Sequence, residues 1–238
     1  KRWLVPSNTV LALFGDITTD AVAKQVDQTF GTISPERAPW PGQLPEDPPH
    51  DIRLATQTMA KEQSLIMLGF PGITYTAKER SALEVMTAVL SGMSGRLFQA
   101  VREEHGLSYT LGAVNVPGWD PGYLVIYAAT RPNEQQRVLE VLDDELRSVL
   151  SEGFTEEEVA LAKQYLIGTH RLDIQHLAGL AKRAALDELY GIGYDAWADY
   201  EARITRVTTP MVDEAAKRYL TLQQRAEVVI SPNGHPTE

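Results

Sequence analysis

The run SALEVMTAVLSGMSGRLFQAVREEHGLSYTLGA, residues 81–113, sets the frame for the whole chain. Ala82, Met86, Val89 and Leu90 recur at the spacing of one helical face. The small-residue stretch SGMSG at 91–95 interrupts that face, and Leu97, Phe98 and Val101 resume it. Gly106 is a helix stop, since glycine alone enters the left-handed region at little cost. Tyr109–Val116 then reads as a strand, and Tyr123–Thr130 as its hairpin partner across GWDPG. A broken helix feeding an antiparallel hairpin is the unit from which the reading extends in both directions.

Upstream, Arg53–Met59 and Ser64–Phe70 read as strands, and Thr76-Ala-Lys-Glu79 fits a capping box that opens the first half of the broken helix. Downstream, a helix over about 133–151 carries Leu139, Leu142, Leu146, Val149 and Leu150 on one face. Thr155-Glu-Glu-Glu158 is a second capping box, and more helix fills 174–190, 194–205 and 210–220 before a last strand, Ala226–Ile230. The order is that of an α+β fold: a mostly antiparallel sheet with helices packed on one face. Hairpin connections dominate, so a doubly wound nucleotide-binding sheet is not expected.

The beginning of the chain reads differently. Val10–Phe14 is a compact apolar strand, and Val22, Val26 and Phe30 share a face of the helix after Thr18 or Thr19. Residues 34–50, SPERAPWPGQLPEDPPH, hold six prolines and little periodicity, which makes them a semi-extended linker. KRWLVPSNTVLALFGD (1–16) also aligns without a gap against KRYLTLQQRAEVVISP (217–232). If the copies are equivalent, the chain starts at the end of one repeat and contains a second, and is a piece of something longer.

Charge and composition narrow the function. The formal net charge is −10, from 32 acidic and 22 basic residues with no cationic cluster, which argues against nucleic acid as a partner. No apolar run approaches the length of a membrane span, so no membrane partner is expected. There is no cysteine, which excludes disulfides and thiolate metal sites and leaves a cytoplasmic or a periplasmic location equally open.

VREEH at 101–105 stands one residue from His-x-x-Glu-His, with Val101 where a first metal ligand belongs. Valine cannot ligate, and the plainer reading is a solvated acidic helix end before Gly106. Among the other histidines, His170 and His176 are six apart and so on roughly opposed helix faces, while His50 falls in the linker and His235 in the tail. No metal site and no cofactor is expected within this chain. There is no Gly-x-Ser-x-Gly elbow and no phosphate loop, and LYGIGYDAW at 189–197 reads as a turn between helices. What remains is Arg102 and Tyr109, seven residues apart across the Gly106 turn. Both donate hydrogen bonds and both suit a carbonyl or carboxylate. Equally, Arg102 could pair with Glu103, Glu104 or a neighbouring helix, and Tyr109 could be a half-buried strand aromatic.

The 81–113 run resembles a segment of the M16 metallopeptidases, the pitrilysin, insulin-degrading and mitochondrial-processing family: a helix, a Gly/Ser break, Arg-Leu-Phe, then Arg-Glu-x-x-Gly-Leu-x-Tyr. GFTEEEVALAKQYLIG (153–168) and RVTTPMVDEAAKRYL (206–220) resemble two later signatures, and residues 6–31 resemble the end of a preceding homologous domain. The resemblance implies a division into residues 1–33, the linker 34–50 and a non-catalytic domain over 51–238. It also implies that zinc sits elsewhere, in a catalytic domain of the parent protein or in a partner subunit bearing His-x-x-Glu-His, where that motif's glutamate activates the zinc-bound water. On this reading the chain is inactive alone and closes over a peptide or unfolded polypeptide substrate. Arg102 and Tyr109 fall on the family's substrate-holding pair and would bond peptide carbonyls. The alternative is a metal-free partner or scaffold subunit of a heteromeric processing peptidase.

Overall fold

The computed structural model describes residues 3, 5–33, 47, 49–92 and 95–232. Five strands, β1 (Arg53–Met59), β2 (Ser64–Pro71), β3 (Ser108–Val116), β4 (Tyr123–Thr130) and β5 (Ala226–Pro232), form one sheet in the order β1-β5-β2-β4-β3. Only β1 against β5 is parallel; the β5–β2, β2–β4 and β4–β3 pairings are antiparallel. The helices are α1 (Thr19–Phe30), α2 (Arg80–Ser91), α3 (Arg96–Phe98), α4 (Gln135–Glu152), α5 (Glu156–Ile174), α6 (Leu177–Leu189), α7 (Tyr200–Thr205) and α8 (Thr209–Tyr219). This is the expected α+β class, with helices on one face of the sheet.

The chain divides into two compact units, residues 46–166 with 203–238, and residues 1–45 with 167–202. In the larger unit the sheet is one-sided. Ile66, Leu68 and Phe70 of β2 and Leu124, Ile126 and Ala128 of β4 are buried, while the residues between them are half-buried or, at Tyr123, exposed. That period of two places the first set under α2 and α4, where Leu83, Met86, Leu90, Leu142 and Leu146 are fully buried. The turn between β3 and β4 leaves no room at Gly122, where an added Cβ would fall 1.8 Å from the Val116 carbonyl oxygen.

The two capping boxes fare differently. At the start of α5, Thr155 N–H donates to Glu158 Oε2 (2.7 Å) and Glu158 N–H to Thr155 Oγ1 (3.2 Å), as that motif requires. At 76–79 no such box forms. Helix α2 begins at Arg80 after turns closed by Ala77 N–H to Thr74 O and Arg80 N–H to Ala77 O, and the Glu79 carboxylate instead meets Arg218 at 2.6 Å. An arginine from α8 competes successfully for a carboxylate whose local alternative is a neutral backbone donor.

In the smaller unit Val10–Phe14 is not a strand, contrary to the sequence reading. Leu11, Leu13 and Phe14 are exposed, and among the described residues none pairs with this segment. Extended backbone becomes strand only when a neighbour takes its N–H and C=O groups, so an apolar run alone does not suffice. Helix α1 forms as expected, yet buries none of its residues. The repeat is therefore matched only in part: the 226–232 half is a strand and the 10–14 half is not. The linker 34–50 lies outside the described residues except for Asp47, Pro49 and His50; Met93, Ser94 and His235 also lie outside them. No helix among the described residues is long and apolar enough to cross a membrane.

His170, on α5, is 8% exposed, and its ring lies 4.4 Å from that of Tyr200. Burial and the Arg183 charge depress its pKa below the ordinary 6.5, and they prevail over Glu201, Asp173 and the Trp197 backbone, which favour the proton. Because the folded value is the lower one, the unfolded chain takes up the proton first as pH falls. The stability that a neutral His170 contributes is thus fully present above 6.5 and is lost as the pH falls through its lower folded value. Thermal melts across that range should show this slope in the wild type and a flatter one in His170→Phe; equal slopes would remove His170 as its cause.

Candidate functional site

The segment that carries Arg102 is a short helical run with an unusual end. Helix α3 continues without a break into a π-helical turn, Gln99–Glu104. Leu97, Ala100 and Val101 face the core, which leaves Phe98 and Arg102 on the outer side. The run closes with a left-handed glycine cap: Gly106 N–H bonds Arg102 O in the 5→1 pattern, and Leu107 N–H reaches one residue further back to Val101 O, both at 2.9 Å. Gly106 has φ +62°, the left-handed conformation this motif needs. Leu107 is buried beyond it and turns the chain into β3.

Tyr109 enters through an irregularity in β3. Ser108 opposes Thr130 and Thr110 opposes Ala129, so Tyr109 is the extra residue of a β-bulge. Ser108 Oγ holds the bulge by donating to the carbonyls of Ala129 (2.6 Å) and Thr110 (3.0 Å), two acceptors sharing one hydroxyl proton. The bulge re-aims the Tyr109 side chain, which is 79% exposed. The half-buried strand aromatic considered from the sequence is therefore not what forms.

The turn and the bulge bring Arg102 and Tyr109 together. The Arg102 guanidinium carbon lies 5.2 Å from the Tyr109 ring centre and 4.5 Å from that of Phe98, within reach of a cation–π attraction on each. Its ion pair with Glu103 is 3.7 Å long, beyond hydrogen-bond distance, and half-exposed, so it restrains the arginine weakly. The arrangement presents a guanidinium fork and a phenol hydroxyl to solvent beside each other. Phe98 was not singled out from the sequence as part of the site; its position four residues before Arg102 on a helix is the signal that could have found it.

His105, the near-match to a metal ligand, closes back on the helix through Nδ1 to the Ala100 carbonyl at 3.0 Å. Among the described residues no group of three or more histidine, aspartate or glutamate side chains could hold a metal ion. A cluster of carboxylates surrounds Arg96. Glu158 accepts from Arg96 Nε (2.6 Å) and Nη2 (3.0 Å), and Glu145 lies 3.8 Å from Nη1. Burial would raise the Glu158 carboxyl, but bonds from Arg96 and Thr155 outweigh it and hold the group below its ordinary range. Burial raises Glu145, helped by Glu104, Glu158 and Glu152, against the pull of Arg96.

Comparison with known proteins bears on the chain as a whole. Residues 1–166 match the family model described as the peptidase M16 inactive domain. An uncharacterized zinc protease of Streptomyces coelicolor is 31% identical over 230 residues, covering 94% of this chain and 50% of that protein. An uncharacterized zinc protease of Bacillus subtilis is 28% identical over 234 residues, covering 98% of this chain and 56% of its own length. The chain thus spans about half the length of these curated relatives. Among solved structures, a peptidase M16 inactive domain from Pseudomonas fluorescens superposes with a TM-score of 0.78 at 20% identity, over 94% of this chain and 53% of that one. A protease from Helicobacter pylori gives 0.81 at 17% identity, over 92% and 54%. At that level of identity the two structures speak to the fold alone.

Proposed function

The chain belongs to the peptidase M16 family as its inactive domain, and we propose that it grips a peptide for cleavage at a zinc site of the His-x-x-Glu-His type carried outside this sequence. The observation that carries the reading is the pairing of Arg102 with Tyr109, 5.2 Å apart on a π-helical turn and a β-bulge. A guanidinium fork and a phenol are donors without side-chain preference when they bond peptide carbonyls. Such contacts tolerate many sequences, as recognition through main-chain hydrogen bonds does. The same proposal divides the chain into residues 1–33, which belong with a preceding homologous domain, a linker over 34–50, and the substrate-holding domain over 51–238. Its partners are the peptide and a catalytic domain or subunit, and its zinc is theirs.

The test is to compare the purified chain with its full-length parent for zinc content and for cleavage of quenched fluorogenic peptides. The parent should bind zinc and lose its activity to chelator, while the chain alone does neither. Stoichiometric zinc and chelator-sensitive cleavage by the isolated chain would overturn the reading. Whether the catalytic half shares the polypeptide is answered by the roughly 150–200 residues encoded before Lys1, about one domain's worth. His-x-x-Glu-His within them makes a single-chain peptidase. Its absence makes this protein the metal-free subunit of a pair.

A further inference from the structure

Two sequence signatures that read as independent, Arg-Leu-Phe at 96–98 and the capping box at 155–158, meet in space at one side chain. Arg96 Nε and Nη2 fork onto the two oxygens of Glu158, and Nη2 also donates to the Gly153 carbonyl at 2.8 Å. Nη1 faces Glu145, and the guanidinium lies 5.3 Å from the Phe154 ring centre. Arg96 thereby takes up a carbonyl at the end of α4 and the carboxylate that caps α5, joining both helices at the loop between them. Its own side chain is 17% exposed.

The position of Arg96 in the chain gives this node its consequence. It is the first residue of the helical run 96–104, straight after Gly95, where an added Cβ would come within 2.7 Å of backbone atoms of Leu90 and Gly92. A run of nine residues is too short to hold its own orientation through intrahelical bonds. Its far end is fixed by the Gly106 turn and its inner side by Leu97 and Val101. At its near end the Arg96 fork stands beside the Gly95 N–H to Gly92 O bond of 2.7 Å. A bidentate contact defines direction as well as distance, which a single ion pair does not.

Building on the peptide-holding role assigned above to Arg102, we propose that Arg96 is a positioning residue for it: the fork onto Glu158 and Gly153 sets the rotation of the 96–104 run and so aims Arg102 at the space beside Tyr109. Arg96 touches no substrate and acts only through Arg102. A misplacement of about 1 Å at a substrate-orienting group can cost on the order of 100-fold in rate. The conservative change Arg96→Lys keeps the charge and loses the fork, so it should behave like a loss.

The experiment is a double-mutant cycle in the full-length parent, or in the assembled complex if the catalytic half is a separate subunit, with kcat and KM measured on a fluorogenic peptide. Arg96→Gln should lower kcat/KM by about 10- to 100-fold when Arg102 is present. In an Arg102→Ala background the same change should do almost nothing, within about twofold. A purely structural arginine would cost the same in both backgrounds, and that result, or wild-type kinetics in folded Arg96→Gln, overturns the inference. If Arg96→Gln fails to fold by circular dichroism, Arg96→Lys and Glu158→Gln carry the same cycle. Should Arg102→Ala itself have wild-type kinetics, the peptide-holding role falls and this inference with it. An impaired Arg102→Ala with an additive Arg96→Gln removes the positioning role alone.

Discussion

On the peptide-holding role proposed above, replacing Arg102 with alanine in the full-length parent should lower kcat/KM by roughly 5- to 150-fold, the equivalent of about 1–3 kcal/mol for a lost charge-assisted hydrogen bond. Zinc content should not change, because no metal ligand is touched. Tyr109→Phe should fall at the lower end of that range, since it removes only the hydroxyl. It keeps the ring, and with it the 5.2 Å contact to Arg102. Comparing the two separates the hydrogen bond to substrate from the stacking that holds the arginine. Arg102→Lys adds a third point: the charge survives, the planar fork does not, and activity should stay well below wild type. The stability of all three should be close to wild type, because Tyr109 is 79% exposed and the pair of Arg102 with Glu103 is long and solvated. Wild-type kinetics in both Arg102→Ala and Tyr109→Phe would remove the pair from the site.

Much of the frame behind that site is readable from residue patterns. Short apolar runs over 64–70 and 123–130, closed by Pro71-Gly72 and joined through GWDPG, give the β2, β3 and β4 strands almost to the residue; the period of two lies in the burial of β2 and β4 and not in their letters. Gly106 was readable as a stop for the same reason that it works as one: φ +62° is costly for other residues. The spacing of Arg102 and Tyr109 was visible too, but not the means of bringing them together. A π-helical turn has no sequence signature, since it arises where packing forces an extra residue into a helix. The bulge at Tyr109 is likewise a matter of how β3 meets β4, two strands whose individual patterns say nothing of an unpaired residue. The failed capping box at 76–79 and the formed one at 155–158 are the same local motif; a distant Arg218 decides the first, and Arg96 adds to the second rather than competing with it. Val10–Phe14 shows the limit from the other side. Its apolar residues satisfy every local criterion for a strand, yet strand formation is a property of pairs.

The largest loss of stability is expected at Arg225, which is 3% exposed at the start of β5. Its guanidinium meets Asp143 of α4 at 2.6 Å and donates from Nε to Glu227 at 2.9 Å, while its backbone carbonyl accepts from Arg53 N–H of β1. One buried cation thus ties a helix to its own strand and stands beside the parallel β1–β5 pair. Arg225→Met keeps the length and removes the charge, and so takes the cation from Glu227 and leaves Asp143 with its longer 3.6 Å pair to the exposed Arg147. Breaking a buried ion pair from one side typically costs about 3–5 kcal/mol, because the partners keep their desolvation penalty and lose their compensation. Urea denaturation of the chain should show a loss of that size. The cost belongs to the stranded carboxylates rather than to the missing arginine, and this has its own consequence. Arg225→Met combined with Asp143→Leu and Glu227→Leu should recover most of the loss, since apolar groups of similar volume need no partner. A single variant that unfolds at the wild-type midpoint would show that water reaches the cluster and that Arg225 contributes as little as a surface pair. A triple variant no better than the single one would show instead that the arginine's packing, not its charge, holds β5 against α4.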